Sequence, residues 1–320
     1  MSKISVLVAQ KKAETKDICL IELLDPHGGD LPPFEAGSHI DIFLPGDITR
    51  QYSLLNDPAE SHHYLLGVLR DPASRGGSEA VHTQIQEGQL LEISPPKNHF
   101  ALSKNAKHHI LLAGGIGVTP ILSMAHALSV SKADFELHYC ARSQEKAAFV
   151  DLISNSEFSS RAKFYFDDRL DQEKINLEKV LATPEEGIHL YVCGPKGFMD
   201  AVLATAREAG WVEDSIHYEF FGAALPSSTD ENLVFQVKIN STGQLITIPS
   251  DRTVVQALSD AGVEIQMSCE QGVCGTCITR VLDGLPDHRD LYLTPEEQSE
   301  NDQFTPCCSR SKTPVLVLDL

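Results

Sequence analysis

The chain has 320 residues and a mass of 35.1 kDa, enough for two or three domains with real cores. It is 42% hydrophobic and 22% charged, which excludes a disordered tail protein. Asp and Glu total 45 against 26 Lys and Arg, and the net charge of -19 argues against nucleic acid or an anionic membrane as the main partner, while leaving room for a locally basic protein.

Residues 1–103 read as β structure. Ser5–Ala9, Ile18–Leu24, His39–Leu44 and Tyr64–Leu69 are short runs rich in β-branched residues and leucine, separated by Gly- and Pro-containing turns. Their spacing predicts a barrel or sandwich. No apolar run of signal-peptide type opens the chain, so a cytoplasmic location is expected. At the end of one β run stands Arg50-Gln51-Tyr52-Ser53. Arginine pairs with phosphate, tyrosine stacks on an aromatic ring, and serine bonds a ring nitrogen or a phosphate. Arg75-Gly76-Gly77-Ser78 follows and offers successive N–H groups to an anion. Each motif alone is more often a surface turn.

Residues 104–228 change character: apolar strands end in glycine or turn residues and lead into helical patterns, which indicates a parallel α/β sheet. Ile110–Ala113 leads through Gly114, Gly115 and Gly117 into a helix from Pro120 to about Ser129, with Thr119 placed to cap it. Such a helix start presents free N–H groups to a pyrophosphate, although the loop is not G-x-G-x-x-G. The uncharged run His108–Ser131 is long enough to span a bilayer, but its glycines, proline and histidines fit strand, loop and helix instead. Phe135–Cys140 leads to a helical stretch Ala147–Ile153, and Leu190–Cys193 to one at Gly197–Ala209. Cys193-Gly194-Pro195 forms a second glycine loop at the same sheet edge. Cys193 is there either to contact a nicotinamide ring or as a small buried strand-end residue.

Residues 229–320 follow a linker at Pro226–Asp230 and carry 14 acids and 6 bases. Strands are expected at Leu233–Ile239, Leu245–Ile248 and Pro314–Leu320, with a helix at Val254–Ala261. Five of the chain's eight cysteines fall in the last 52 residues, which points to a metal centre. Cys269-x4-Cys274-x2-Cys277 has the plant-type [2Fe-2S] spacing. Gly272 and Gly275 let backbone N–H groups approach the sulfurs. Structural zinc normally uses paired C-x2-C hooks, and only one is present. The fourth thiolate comes from Cys307 or Cys308. Adjacent residues in extended chain point to opposite sides, so one of the two reaches the cluster.

Taken in order, RQYS, RGGS, GGIGVTP, CGP, CEQGVCGTC and CCSR resemble the phthalate dioxygenase reductase family over essentially the whole chain, and are similar to vanillate demethylase and carnitine monooxygenase reductases. The resemblance implies a multidomain fold: an antiparallel β-barrel flavin domain at 1–103, an α/β parallel-sheet NAD domain at 104–228 and an α+β plant-type ferredoxin domain at 229–320. It implies FMN, NADH and a [2Fe-2S] cluster. Arg50, Tyr52 and Ser53 are then expected at the flavin, and Arg75, Gly76, Gly77 and Ser78 at its phosphate. Gly115, Gly117, Thr119, Cys193 and Gly194 fall on the nicotinamide nucleotide side, and Phe221 covers the flavin ring until nicotinamide displaces it. The family's C-x-S-R stretch aligns Cys307 as fourth ligand beside Cys269, Cys274 and Cys277. Asp287-His288-Arg289-Asp290 is a further signature, read as packing near the cluster. Arg142-Ser143 keep NADPH open beside NADH.

The implied role is the reductase component of a two-component Rieske oxygenase or demethylase. Electrons would pass from NADH through FMN and the cluster to the oxygenase. A monomer is expected, and no side chain is expected to act as general acid or base. A P450 or another acceptor is the nearest alternative, and a redox sensor or carrier without NADH turnover the next.

Overall fold

Period-two alternation builds the first sheet. β1 (Ile4–Ala13) turns Val6 and Val8 inward, and β2 (Ile18–Leu24) does the same with Cys19, Ile21 and Leu23. β3 (Ser38–Leu44), β4 (Ile48–Ser53), β5 (His63–Leu69) and β6 (Leu90–Ile93) complete an antiparallel order β4-β3-β6-β1-β2-β5, with β7 (Lys97–Asn98) on β3. Just past β4, Leu54 pairs with Leu66 of β5, so the two edges meet and the sheet closes as a barrel. The helix α1 (Gly77–Gln84) sets Ala80 and Val81 into the barrel core. The computed structural model describes residues 3–46, 48–72, 76–169, 174–221 and 232–320. Arg75 and the linker at Pro226–Asp230 lie outside the described residues.

The second sheet is parallel. It contains β8 (His108–Gly114), β9 (Asp134–Ala141), β10 (Ala162–Phe166), β11 (Ile188–Cys193) and β12 (Ile216–Glu219), in the order β10-β9-β8-β11-β12. The order reverses between β8 and β11, so a crevice opens beyond their carboxyl ends, at Gly114 and Cys193. Helices α2 (Val118–Val130), α3 (Val150–Ser154), α4 (Leu177–Val180) and α5 (Lys196–Glu208) accompany this sheet.

α2 is apolar on nearly every side because it is buried: Val118, Ile121, Leu122, Met124, Ala125 and Leu128 all enter the core. That burial accounts for the long uncharged run. Among the described residues, no helix is long and apolar enough to cross a membrane. Two helix starts differ from expectation. α2 begins at Val118, after a 3-10 turn at Gly115–Gly117, so Thr119 is not its cap. Thr119 is buried, and its hydroxyl donates to the Ile116 carbonyl at 3.3 Å. α3 begins at Val150 rather than Ala147, because Phe149 sits in the left-handed region at φ 63°.

Barrel and parallel sheet share one hydrophobic core, in which Ile18, Ala36, Leu55 and Phe100 pack with Leu111, Ile121 and Tyr139. Gly67 of β5 marks the seam. A Cβ there would stand 2.8 Å from both Thr119 and Phe149. Met1–Phe221 accordingly forms one compact unit.

Gly222–Leu320 is a second compact unit. It comprises β13 (Phe235–Ile239), β14 (Leu245–Ile248), α6 (Val254–Asp260), β15 (Thr279–Asp283), β16 (Pro286–Asp287), α7 (Pro295–Glu300), β17 (Gln303–Phe304), β18 (Arg310–Ser311) and β19 (Val315–Leu318). The main sheet runs β14-β13-β19-β15-β17, and β16 pairs with β18. α6 starts with a Thr253/Gln256 capping box and packs Val254, Ala257 and Leu258 onto Phe235, Val237 and Leu316. The cysteine loop lies between α6 and β15.

Candidate functional site

Two groups of chemistry-bearing residues stand out, one in each unit. In the first, β4 delivers Arg50 and Tyr52 from one side of the strand and Ser53 from the other. Gly76 takes φ 87°, and α1 begins at Gly77 with no side-chain cap. A Cβ at Gly77 would lie 2.4 Å from Arg50 Nε, so only glycine lets the helix start close on the guanidinium. A cation and the open end of an eight-residue helix thus share one place, which is the donor set a phosphate requires. On the first turn of α1, Ser78 Oγ accepts the Asp71 N–H at 3.1 Å. Burial of the Tyr52 phenol pushes its pKa well up, so the ring stays neutral.

The crevice of the parallel sheet is built by close backbone contact. A Cβ at Gly117 would come within 2.3 Å of the Cys193 carbonyl oxygen, and one at Gly194 within 2.9 Å of Gly114 Cα. Gly115, at φ 53°, has open space where a Cβ would project. Both glycine loops therefore meet at the switch point and leave room beside Gly115. Thr119 is the exception among the expected residues, because its methyl packs on Gly67 at the barrel seam. Arg142 and Ser143 lie past the end of β9, on the same carboxyl edge of the sheet.

Ser53 and Cys193 are brought together by a residue the sequence reading passed over. Glu219 ends β12, directly opposite Cys193 in the β11–β12 ladder, and its carboxyl oxygen accepts the Ser53 hydroxyl at 3.3 Å. Its carboxyl is enclosed by protein although the residue keeps part of its surface open. Burial pushes its pKa up to about 8, and the Ser53 bond opposes that shift. Burial, with the charge of Glu219 adding to it, pushes the Cys193 thiol far above its ordinary range, so it is a neutral thiol. The available clue was an acidic residue closing the short strand-like run Ile216-His217-Tyr218, where a carboxyl drawn inward calls for a partner. Two residues on, Phe221 ends the first unit and is 41% exposed.

In the second unit Cys269, Cys274, Cys277, Cys307 and Cys308 are all buried. Gly272 and Gly275 hold φ near 70°, and Glu270 takes φ 57°, so the loop curls with its amides inward. The Gln271 N–H points at Cys269 Sγ, 3.3 Å away. A hydrogen bond from Cys269 lowers the pKa of Cys274 and raises that of Cys269, so these two sulfurs are in contact. Cys307 bonds Cys277 in the same way, and its pKa is pushed up to about 12. Four thiols in two touching pairs, with an amide aimed at sulfur, form an all-sulfur donor set that fits an iron–sulfur cluster. Cys308 also touches Cys307, but its sulfur is bonded to Thr305 Oγ1 at 3.3 Å and sits over Gly272.

The comparisons agree with this division. Residues 237–312 match the 2Fe-2S iron–sulfur cluster binding domain, and residues 91–216 match the N-terminal domain of dimethylamine monooxygenase subunit DmmA-like proteins. A vanillate O-demethylase oxidoreductase from a Pseudomonas species is 52% identical over 99% of this chain and 100% of its own length. The phthalate dioxygenase reductase of Burkholderia cepacia is 38% identical over 98% of this chain and 96% of its own. A solved phthalate dioxygenase reductase, titled as a modular structure for electron transfer from pyridine nucleotides to [2Fe-2S], superposes with a TM-score of 0.82 at 38% identity, covering 100% of this chain and 98% of that one. An intact type IV self-sufficient cytochrome P450 monooxygenase matches with a TM-score of 0.80 at 36% identity, covering 99% of this chain and 41% of that one.

Proposed function

The chain belongs to the phthalate dioxygenase reductase family of oxidoreductases, and on that premise we propose that it is the reductase component of a Rieske-type oxygenase or demethylase, oxidising NADH with FMN and a [2Fe-2S] cluster. The observation that carries the reading is the full-length likeness to vanillate O-demethylase oxidoreductase, which keeps the crevice unit and the cysteine unit on one chain. The likeness to a self-sufficient P450 over nearly the whole chain supports a second acceptor class, a P450 haem domain.

We assign the three domains to 1–103, 104–228 and 229–320, and place the protein in the cytoplasm as a monomer. When bound, FMN would supply the conversion of a two-electron hydride into single electrons, and a [2Fe-2S] cluster would supply a one-electron carrier. Arg50, Gly76 and Gly77 would hold the flavin phosphate, together with Arg75, which lies outside the described residues, and Ser78. Tyr52 would face the isoalloxazine ring, and Phe221 would cover it. Gly115, Gly117, Cys193 and Gly194 would receive the nicotinamide nucleotide, with Thr119 behind them as packing. Glu219 and Cys193, whose pKa values burial raises, line the same place and would favour a low fixed negative charge there. Cys269, Cys274, Cys277 and Cys307 would ligate iron.

Anaerobic titration with NADH, followed by visible absorbance, tests the reading. Bleaching of both flavin and iron–sulfur bands is expected. Flavin bleaching without a cluster band would reduce the protein to a simple flavin reductase. Bleaching by NADPH alone would reverse the assigned donor.

A further inference from the structure

The signature Asp287-His288-Arg289-Asp290 ends on a carboxylate that the electron path above does not use. The Asp290 side chain is fully buried, and the residue packs on the middle of the cysteine loop. A Cβ at Gly272 would fall 3.0 Å from both Cα and Cβ of Asp290, and the next amide, Leu291 N–H, donates to the Gly272 carbonyl at 2.9 Å. The carboxylate accepts two neutral donors, the Leu293 N–H at 2.8 Å and the Ser309 hydroxyl at 3.3 Å.

Ser309 continues the contact. Its Oγ lies 3.0 Å from Thr305 Oγ1, which in turn lies 3.3 Å from Cys308 Sγ. Asp290 therefore touches the cysteine loop on one side and, through two hydroxyls, Cys308, the neighbour of Cys307, on the other. The nearby arginines are engaged elsewhere. Arg289 pairs with Asp287 at 2.7 Å, and Arg310 donates to the carbonyls of Leu233, Pro249 and Arg252. Among the described residues, the ion-pair neighbour of Asp290 is His288, with Nδ1 3.6 Å from Oδ1.

A buried carboxylate whose hydrogen bonds come from neutral donors keeps much of its field, because burial removes it from bulk solvent. One-electron reduction adds a negative charge beside it, so the carboxylate disfavours the reduced form. We propose that Asp290 is a positioning residue that holds the cluster potential low, and that Ser309, by bonding the carboxylate, moderates that effect. The inference rests on the cluster assignment made above.

The test is an EPR-monitored reductive titration of the holoprotein at one fixed pH. Asp290→Asn keeps the shape and removes the charge, and its midpoint should move positive. Ser309→Ala leaves the charge and removes a donor, and its midpoint should move negative. Asp290→Glu keeps the charge and should stay nearer the parent than Asp290→Asn does. Opposite shifts from Asn and Ala variants cannot come from loosened packing alone, which would move both one way. Unchanged midpoints, or shifts of one sign, in variants that keep the parent EPR signal would overturn the proposal and leave the reductase reading intact. If Asp290→Asn fails to retain a cluster, the sign of the Ser309→Ala shift decides. A parent protein without any [2Fe-2S] signal would overturn both.

Discussion

Glu219→Gln isolates a carboxyl that the fold holds against its preference to ionise. The native group has a pKa of about 8, against an ordinary value of 4.5. Because the folded value is the higher one, the contribution of Glu219 to stability is complete below pH 4.5. It declines as pH rises from there and is lost once pH passes 8. A shift of this size corresponds to roughly 5 kcal/mol at most. Glu219 keeps part of its surface in solvent, so a realised loss of about 1–3 kcal/mol is the reasoned figure. Glutamine keeps the volume and the contact with Ser53 but cannot ionise. The two proteins should therefore match in thermal midpoint at pH 4.5, and the variant should be the more stable at pH 9. Differential scanning calorimetry across that range, following the transition of the 1–221 unit, measures the difference. Parallel pH profiles for parent and variant would refute the burial argument, and a variant less stable at pH 9 would reverse its sign.

Gly117→Ala should force the two crevice loops apart, since its Cβ would meet the Cys193 carbonyl at 2.3 Å. A stability loss of about 1–3 kcal/mol and a raised KM for the nicotinamide donor are expected, read by thermal melts and initial rates. Arg50→Ala should weaken FMN retention by roughly 10- to 100-fold, the scale of one charge-assisted bond, as measured by fluorescence of released flavin. Cys307→Ser should lose or destabilise the cluster while FMN stays bound, and Cys308→Ser should keep it. Iron content and visible spectra of the two variants decide the assignment, and the reverse result would move the fourth ligand to Cys308.

Much of the site was legible in sequence because its chemistry demands rare residue types at fixed spacing. Three thiolates on one loop need C-x4-C-x2-C with glycines between them that allow close backbone approach, and the structure adds that Gly272 and Gly275 are both left-handed. The glycine loops after β8 and β11 were equally plain, since close backbone approach excludes a Cβ. Strand and helix types followed from periodicity, and barrel, parallel sheet and ferredoxin-like unit appear in the expected order. The short strands β6, β7, β10, β12 and β15 to β18 went unread, and β12 carries Glu219.

What sequence could not supply was convergence. Ser53 and Glu219 lie 166 positions apart, and nothing local in either motif names the other. Their bond exists because the closed barrel and the parallel sheet share a core, welded at Gly67 against Thr119 and Phe149. That packing also explains why Thr119, placed by its motif at a helix cap, is drawn inward instead. Tertiary structure likewise turned Asp290 from one more acidic residue into a buried carboxylate against Gly272. Local spacing determines which atoms a short loop can present. Burial, and the field a buried charge exerts, are properties of surfaces brought together from distant parts of the chain.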